Sequence, residues 1–202
     1  MDILNSKLYR SIEILISFLL LNLMWILLSF PVVTAFPATA AMFGVVREWI
    51  RGTDSGAIEP FFRHLKANFI QSFVIGLIWI VLGAMLVADF FLLEGAEMWV
   101  KVPLLLLLAL GGLCYTFTAM YLFPVMVNYE NDWRRVIKNS FLISISQLGT
   151  TLLCIFVCAL MLLVVLSIPI AGLLAGSVTA YAVYSLCKRA FSRIEAAKEP
   201  GR

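Results

Sequence analysis

Residue types that carry chemistry in enzymes are sparse in this chain of 202 residues. The single histidine, His64, excludes an HExxH zinc motif, which needs two histidines. Asp89 is the one carboxylate clearly inside a long apolar run, and a lone carboxylate cannot share a proton as paired aspartates do. No base accompanies a serine at membrane depth, as a serine nucleophile would require. We therefore expect no enzyme activity, no catalytic residue, no bound metal and no cofactor.

The remaining reactive side chains have structural interpretations. His64 follows Arg63 in a basic segment, which predicts a solvated or headgroup-facing imidazole. Four cysteines lie in apolar segments without a CxxC pattern, and we expect them to be small buried side chains. These cysteines are Cys114, Cys154, Cys158 and Cys187.

Two polar residues inside apolar runs are candidates for a functional role. Asn22 lies near the middle of the first run, where an amide favours a hydrogen bond to another helix. Asp89 lies four positions before Leu93, near the end of the second run. This position favours a carboxylate that reaches the membrane interface, and an intramembrane proton or ion site is the alternative.

Small residues repeat every four positions near the C-terminal end, at Gly172, Gly176 and Ala180. This spacing leaves a flat helix face on which another helix can approach closely. We therefore predict that these three residues, together with Asn22, are helix-packing residues.

The composition places the whole chain in a membrane. Apolar residues make up 62% and charged residues 13%, with a mean hydropathy of +1.00, whereas soluble domains are about 45–50% apolar and about 25% charged. The connections between apolar runs are too short to bury a core of their own, which excludes an extramembrane catalytic domain. The net charge of +3 is too small to indicate nucleic-acid binding. We predict a single integral membrane domain over residues 1–202.

The apolar runs predict an all-α, polytopic fold. Five runs are long enough to cross a bilayer core of about 30 Å. Their predicted bounds are Ile12–Val33, Ile70–Leu93, Val102–Val127, Ser144–Ser167 and Ala171–Leu186. Pro31 breaks the end of the first run and Pro37 follows it, which predicts a bend between them and then a short helix over Ala38–Ile50.

Two short amphipathic helices, Pro60–Phe69 and Asn131–Phe141, are predicted along the cytoplasmic interface. Each combines an apolar stripe with an opposite basic face that suits lipid headgroups or a partner protein. The two segments share a spacing of basic, aromatic and serine residues, which indicates a duplicated helix pair. The interfacial basic residues are Arg63, Lys66, Arg134, Arg135 and Lys138.

The distribution of positive charge predicts the threading. Five spans place 12 of the 15 Lys and Arg residues on the side of the C-terminus and 3 on the other side. The positive-inside rule then puts the C-terminus in the cytoplasm and the N-terminus outside. In a rival threading, Pro31–Val46 returns through the membrane, the N-terminus is also cytoplasmic, and the split becomes 14 to 1. This return leg is shorter than an ordinary span of about 20 residues.

Several segments of the N-terminal third resemble the YesL-like family of bacterial membrane proteins. They are Asn22–Trp25, Pro31–Ala41, Phe61-Phe62 and Lys66–Phe69, and the length and order of the apolar runs also fit. Family members are typically found in Gram-positive bacteria near genes for carbohydrate uptake and breakdown, especially ATP-driven sugar importers. The resemblance therefore implies a plasma-membrane protein associated with sugar uptake, and it implies no catalytic residues.

Two classes of function remain. In the favoured one, the protein is an accessory or scaffolding subunit of a carbohydrate uptake system of the ABC type, with the lipid bilayer and an ABC permease, or a second copy of itself, as partners. Its small-residue face and basic cytoplasmic helices support this interpretation. In the alternative, the protein is itself a small transporter or channel, since transporters often contain repeats and interrupted helices. No run contains the polar stripe that a sugar path would need.

Overall fold

The computed structural model describes residues 2–53, 56–93, 97–129 and 132–198, and these fold into α-helices joined by short turns. Five of the described helices are long and apolar enough to cross a membrane, which confirms the predicted all-α polytopic class. The helices are α1 (Asp2–Ser29), α2 (Ala35–Arg51), α3 (Ile58–Leu92), α4 (Met98–Asn128), α5 (Trp133–Ser146), α6 (Leu148–Ser167) and α7 (Gly172–Lys198).

The predicted bend after the first span is present. Helix α1 ends at Ser29, and a 3-10 turn over Val32–Thr34 leads into α2. Pro31 disrupts the helix because it lacks the backbone N–H, and the hydroxyl of Thr34 donates a hydrogen bond of 2.9 Å to its carbonyl oxygen. Pro37 lies in the first turn of α2, where proline is tolerated. The short helix therefore begins three residues before the predicted Ala38.

Helix α2 turns back along α1 and runs antiparallel to it. The indole N–H of Trp25, late in α1, donates to the hydroxyl of Thr39, early in α2, at 3.0 Å. The ring of Phe18, earlier in α1, lies 5.0 Å from the ring of Trp49, near the end of α2. At about 1.5 Å per residue, the 17 residues of α2 rise about 25 Å. Helix α2 is thus nearly long enough to recross a hydrocarbon core of about 30 Å.

Helix α2 is also the most enclosed helix of the fold. Its buried residues extend from Pro37 to Val46, with only Thr39 partly exposed. Helices α1, α3, α4 and α7 all pack against it. Small side chains make this enclosure possible: Ala38, Ala40 and Ala41 are fully buried, and Gly44 lies so close to His64 that a Cβ would overlap the imidazole ring.

The remaining helices alternate in direction. Helix α3 runs antiparallel to α2, since Glu48 contacts Arg63 whereas Phe36 faces Gly76. Helix α7 runs antiparallel to α1, with the ring of Tyr181 5.6 Å from that of Phe18. The first residues of α1 and the last residues of α7 therefore lie where α2 ends and α3 begins, and we call this the basic end. The five predicted spans agree with the five described helices that are long and apolar enough to cross a membrane, and α2 is not one of these. The five-leg threading counts these helices alone, whereas the six-leg threading adds α2 as a leg that returns to the basic end.

Two other boundaries differ from the prediction. Pro60–Phe69 is no separate interfacial helix: it forms the first turns of the 35-residue helix α3, with Pro60 and Phe61 buried. Helix α7 continues to Lys198, past the expected stop at Lys188-Arg189. The side-chain pattern changes from charged to apolar at Ile70 and from apolar to charged at Lys188, and no glycine or proline lies at either position to end the helix, so the backbone continues.

Helix α5 is a separate amphipathic helix, as predicted, although Asn131 lies outside the described residues. Its fully buried stripe is Val136, Ser140 and Ser144. Phe141, the apolar residue at the end of the predicted segment, is 39% exposed and is not part of this stripe. The chain breaks at Gln147 before α6 begins, whereas the predicted fourth span starts at Ser144.

Candidate functional site

The helix-packing residues predicted on α1 and α7 meet in the structure. The Asn22 side chain is fully buried. Its Nδ2 donates to the carbonyl oxygen of Gly172 at 2.8 Å, and its Oδ1 accepts from the backbone N–H of Ser177 at 3.1 Å. Both the oxygen and the nitrogen of the amide are therefore bonded to α7, as burial away from water requires.

The three small residues of α7 differ in how closely they are packed. A Cβ on Gly176 would overlap Oδ1 of Asn22 and lie 3.2 Å from the Trp25 ring. A Cβ on Gly172 would make only an ordinary contact, 3.7 Å from Val165. Ala180 is 2% exposed. Gly176 is thus the position at which the close approach of α1 and α7 requires glycine.

A carboxylate that the sequence interpretation did not single out organises the contact between α2 and α3. Oε2 of Glu48 lies 2.7 Å from a guanidinium nitrogen of Arg63, and its Oε1 lies 2.8 Å from Nε2 of His64. The side chains of Glu48 and His64 are only 16% and 14% exposed. The expectation that His64 is solvated or headgroup-facing is wrong, because its ring fills the space left by Gly44 on α2.

Polar contacts also join α2, α4 and α7 at the basic end. Oδ1 of Asn128, the last residue of α4, accepts from Arg51 at 2.9 Å and from the hydroxyl of Tyr184 at 3.2 Å. The hydroxyl of Tyr129 donates to Glu195 at 3.1 Å. Burial, and secondarily the Glu195 carboxylate, raises the pKa of Tyr129 to about 12, so that the phenol stays protonated and remains a donor. These contacts hold the end of α2 between two long helices.

The predicted interfacial basic residues are at the surface. Lys66, Arg135 and Lys138 are exposed. Arg134 is also exposed, and its guanidinium carbon lies 5.0 Å from the centre of the Trp133 ring. Half of the Arg63 side chain is exposed, although its guanidinium binds Glu48. Four of the five thus present charge to the surroundings, and Arg63 also holds α3 against α2.

Asp89 lies on the exposed surface of α3, one turn before its end at Leu92. It is far along the chain from Asn22 and from the Glu48 cluster, and the structure brings it near neither.

The four cysteines differ in exposure, and the expectation of burial is wrong for Cys114. Cys154 and Cys187 are fully buried, Cys158 is partly buried, and Cys114 is exposed on α4. Cys154 on α6 lies against Cys187 on α7. Across the described part of the chain, no three His, Cys, Asp or Glu side chains come together in an arrangement that could hold a metal ion.

The contacts described above form a packing site around α2. A protein-family model matches the same part of the chain. The family model described as a protein of unknown function, DUF624, matches residues 18–90. This stretch begins in α1 and ends in α3, so it contains the whole of α2. No solved structure matches the chain.

Three proteins of Bacillus subtilis (strain 168) are similar over longer stretches, and each bears the description uncharacterized protein. YesL is 36% identical over 137 residues, 66% of this chain and 64% of YesL. YteU is 28% identical over 73% of this chain and 68% of its own length, and YesV is 28% identical over 82% and 81%. The chain spans a little under two thirds of YesL. The DUF624 match and the similarity to YesL confirm the predicted resemblance to the YesL-like family.

Proposed function

We propose that this protein is an accessory or scaffolding subunit that packs against the permease of a carbohydrate uptake system of the ABC type in the bacterial plasma membrane. The supporting observation is the position of α2, which fills the centre of the helix bundle with closely packed small side chains. A sugar path would need a polar-lined cavity at this place. A filled centre therefore favours a protein that acts through its outer surface.

The buried hydroxyl groups are consistent with this proposal. Ser72, Thr118 and Thr151 are at most 3% exposed. Ser72 and Thr118 donate to carbonyl oxygens of their own helices, and Thr151 donates to the carbonyl oxygen of Ser144 at the α5–α6 junction. Hydroxyl groups that donate to backbone carbonyl oxygens stabilise the helices. They leave few hydrogen-bond donors for a sugar that passes through the bundle.

The surface proposed for the permease is formed by the outer halves of α3 and α4. Gly76 faces Phe36 at the start of α2, so residues 77–92 of α3 extend about 24 Å beyond α2. Large apolar side chains on this part of α3 are exposed within the chain. They include Leu77, Ile80, Val81, Met85, Val87, Phe90 and Phe91. Lipid or another membrane protein must cover them, and a permease would bury a continuous apolar strip.

The orientation belongs to the same proposal. The six-leg threading assigns 14 of the 15 Lys and Arg residues to segments at the basic end and leaves Lys101 alone at the other end. By the positive-inside rule, we place the basic end and both chain ends in the cytoplasm. The amphipathic helix α5 then lies on the side where the ATP-binding subunits of an ABC importer would be.

Copurification tests the proposal directly. The tagged protein is extracted from its native membranes in a mild detergent, and the recovered proteins are quantified by mass spectrometry. We expect an ABC permease in near-equimolar amount. A test variant carries Leu77→Ala, Val81→Ala and Met85→Ala on the outer half of α3. It should recover less permease than the unchanged protein does at equal expression.

Two outcomes contradict the proposal. Recovery of the protein without any permease would overturn the accessory role. Sugar flux through the purified protein alone in liposomes would favour the alternative, a small transporter or channel, in which the interrupted helices at Pro31 and Pro169 would be the moving parts.

A further inference from the structure

A cavity of about 500 Å³ opens at the basic end, between the α5–α6 junction and α7. The junction is formed where the chain breaks at Gln147, which separates the polar end of α5 from the apolar helix α6. The residues that line the cavity are Ser146, Gln147, Leu148, Gly149, Thr150, Leu153, Leu186, Arg189 and Arg193. None of these belongs to the packing site around α2.

One wall of the cavity is cationic. Arg189 and Arg193 are four residues apart on α7, so that their side chains lie on the same face, about one helical turn from each other. The lining contains no carboxylate, and Glu195, the acidic residue nearest in sequence, accepts a hydrogen bond from Tyr129. A pair of guanidinium groups presents forked donors whose geometry matches the oxygens of a phosphate group.

Apolar side chains also line the cavity. Leu148 and Leu153, at the start of α6, are 49% and 54% exposed. Leu186 lies one turn before Arg189 on α7. The lining thus combines two cationic side chains with apolar side chains that continue along α6 and α7 away from the basic end. An amphipathic ligand with an anionic head matches this gradient better than a small soluble anion does.

We infer that this cavity binds the phosphodiester headgroup of an anionic phospholipid, with the phosphate on Arg189 and Arg193 and the acyl chains along Leu148 and Leu153. The hydroxyl of Thr150 and the amide of Gln147 lie in the same lining and can bind the glycerol portion of the headgroup. The inference does not depend on the accessory role, because a lipid site at this place would serve a transporter equally.

Native mass spectrometry of the full chain tests the inference. The delipidated protein in detergent is titrated with phosphatidylglycerol, phosphatidylcholine or glycerol phosphate. We expect one phosphatidylglycerol to be retained in preference to phosphatidylcholine. Arg189→Gln combined with Arg193→Gln should weaken this retention on the order of tenfold to thirtyfold.

Two further variants separate the cavity from general surface charge. Arg134→Gln combined with Arg135→Gln removes the same charge from exposed positions of α5 outside the cavity lining, and it should retain the lipid as the unchanged protein does. A Cβ on Gly149 would meet no atom within 4 Å, so Gly149→Leu extends into open space without removing charge. It should also weaken retention.

The inference is overturned if both double variants lose the lipid equally, because the effect would then come from net charge. It is also overturned if Gly149→Leu and the Arg189/Arg193 variant retain phosphatidylglycerol normally. If glycerol phosphate is retained as strongly as the lipid, the cavity is a site for a soluble phosphate ester and the lipid assignment is wrong.

Discussion

Asn22 on α1 and Gly176 on α7 occupy the same small volume in the interior of the bundle. Oδ1 of Asn22 lies where a Cβ of residue 176 would otherwise be, and the same amide binds the backbone of Gly172 and Ser177. The amide can reach the backbone of α7 only because residue 176 has no side chain. The hydrogen bonds and the close approach of the two helices are therefore one structural feature.

Gly176→Ala should destabilise the protein by about 1–3 kcal/mol, because a methyl group would be forced against Asn22 and Trp25 in a packed interior. The matched control is Gly172→Ala, whose methyl group would make an ordinary contact with Val165. Thermal unfolding midpoints in detergent measure the difference. Equal midpoints for the two variants would show that α1 and α7 do not approach as closely as described.

Asn22→Ala should cost on the order of 1–2 kcal/mol, since interhelical hydrogen bonds in membranes are individually modest. In the Asn22→Ala background, Gly176→Ala should cost less than it does alone, because the atom that it would strike is gone. Ser17→Ala is the control, since the exposed Ser17 hydroxyl binds only its own helix. Strict additivity of the two substitutions would contradict the contact.

The sequence was sufficient to predict this contact in part. An amide inside an apolar run must find a partner, and small residues repeated every four positions mark a close approach. Neither observation identifies Asn22 as the partner of Gly176, because the pairing depends on which helices become neighbours. The five long apolar runs were predictable for a simpler reason, since length and hydropathy alone define a span.

The return of α2 through the bundle was not decided by the sequence. Its 17 residues are fewer than a full span needs and carry Arg47 and Glu48 near their end, so hydropathy favours a short connecting helix. What keeps α2 inside is the fit of Ala38, Ala40 and Ala41 against four neighbouring helices. In the sequence, the 14-to-1 charge split of the rival threading favours this return, and the length of the segment opposes it.

Glu48 was missed for a related reason. In sequence it belongs to a charged group at the end of α2, which is the ordinary pattern of a solvated helix end. Its burial and its contacts with Arg63 and His64 arise only when α3 folds back on α2. A carboxylate followed some 15 residues later by two adjacent basic side chains is a weak signal, and it gains meaning only with the antiparallel pairing of the two helices.

Glu48→Gln should destabilise the protein by about 1–2 kcal/mol, because it removes a largely buried charge that binds the half-exposed Arg63 and the largely buried His64. Glu59→Gln is the control: Glu59 lies 3.7 Å from the same arginine but is 91% exposed, and exposed pairs contribute little. Unfolding midpoints in detergent check both. If Glu59→Gln lowered the unfolding midpoint as much as Glu48→Gln does, the buried Glu48 pairing would contribute no more stability than an exposed ion pair.

Cysteine labelling in whole cells decides the threading. After the native cysteines are replaced, single cysteines are introduced for Asp2, Thr53 and Met98 and exposed to a membrane-impermeant maleimide. Met98 is 76% exposed at the start of α4, opposite the basic end. With the basic end in the cytoplasm, position 98 should react, while positions 2 and 53 should react only after permeabilisation. Reaction at both positions 2 and 98 in intact cells, with position 53 protected, would support the five-leg threading and contradict the return of α2 to the basic end.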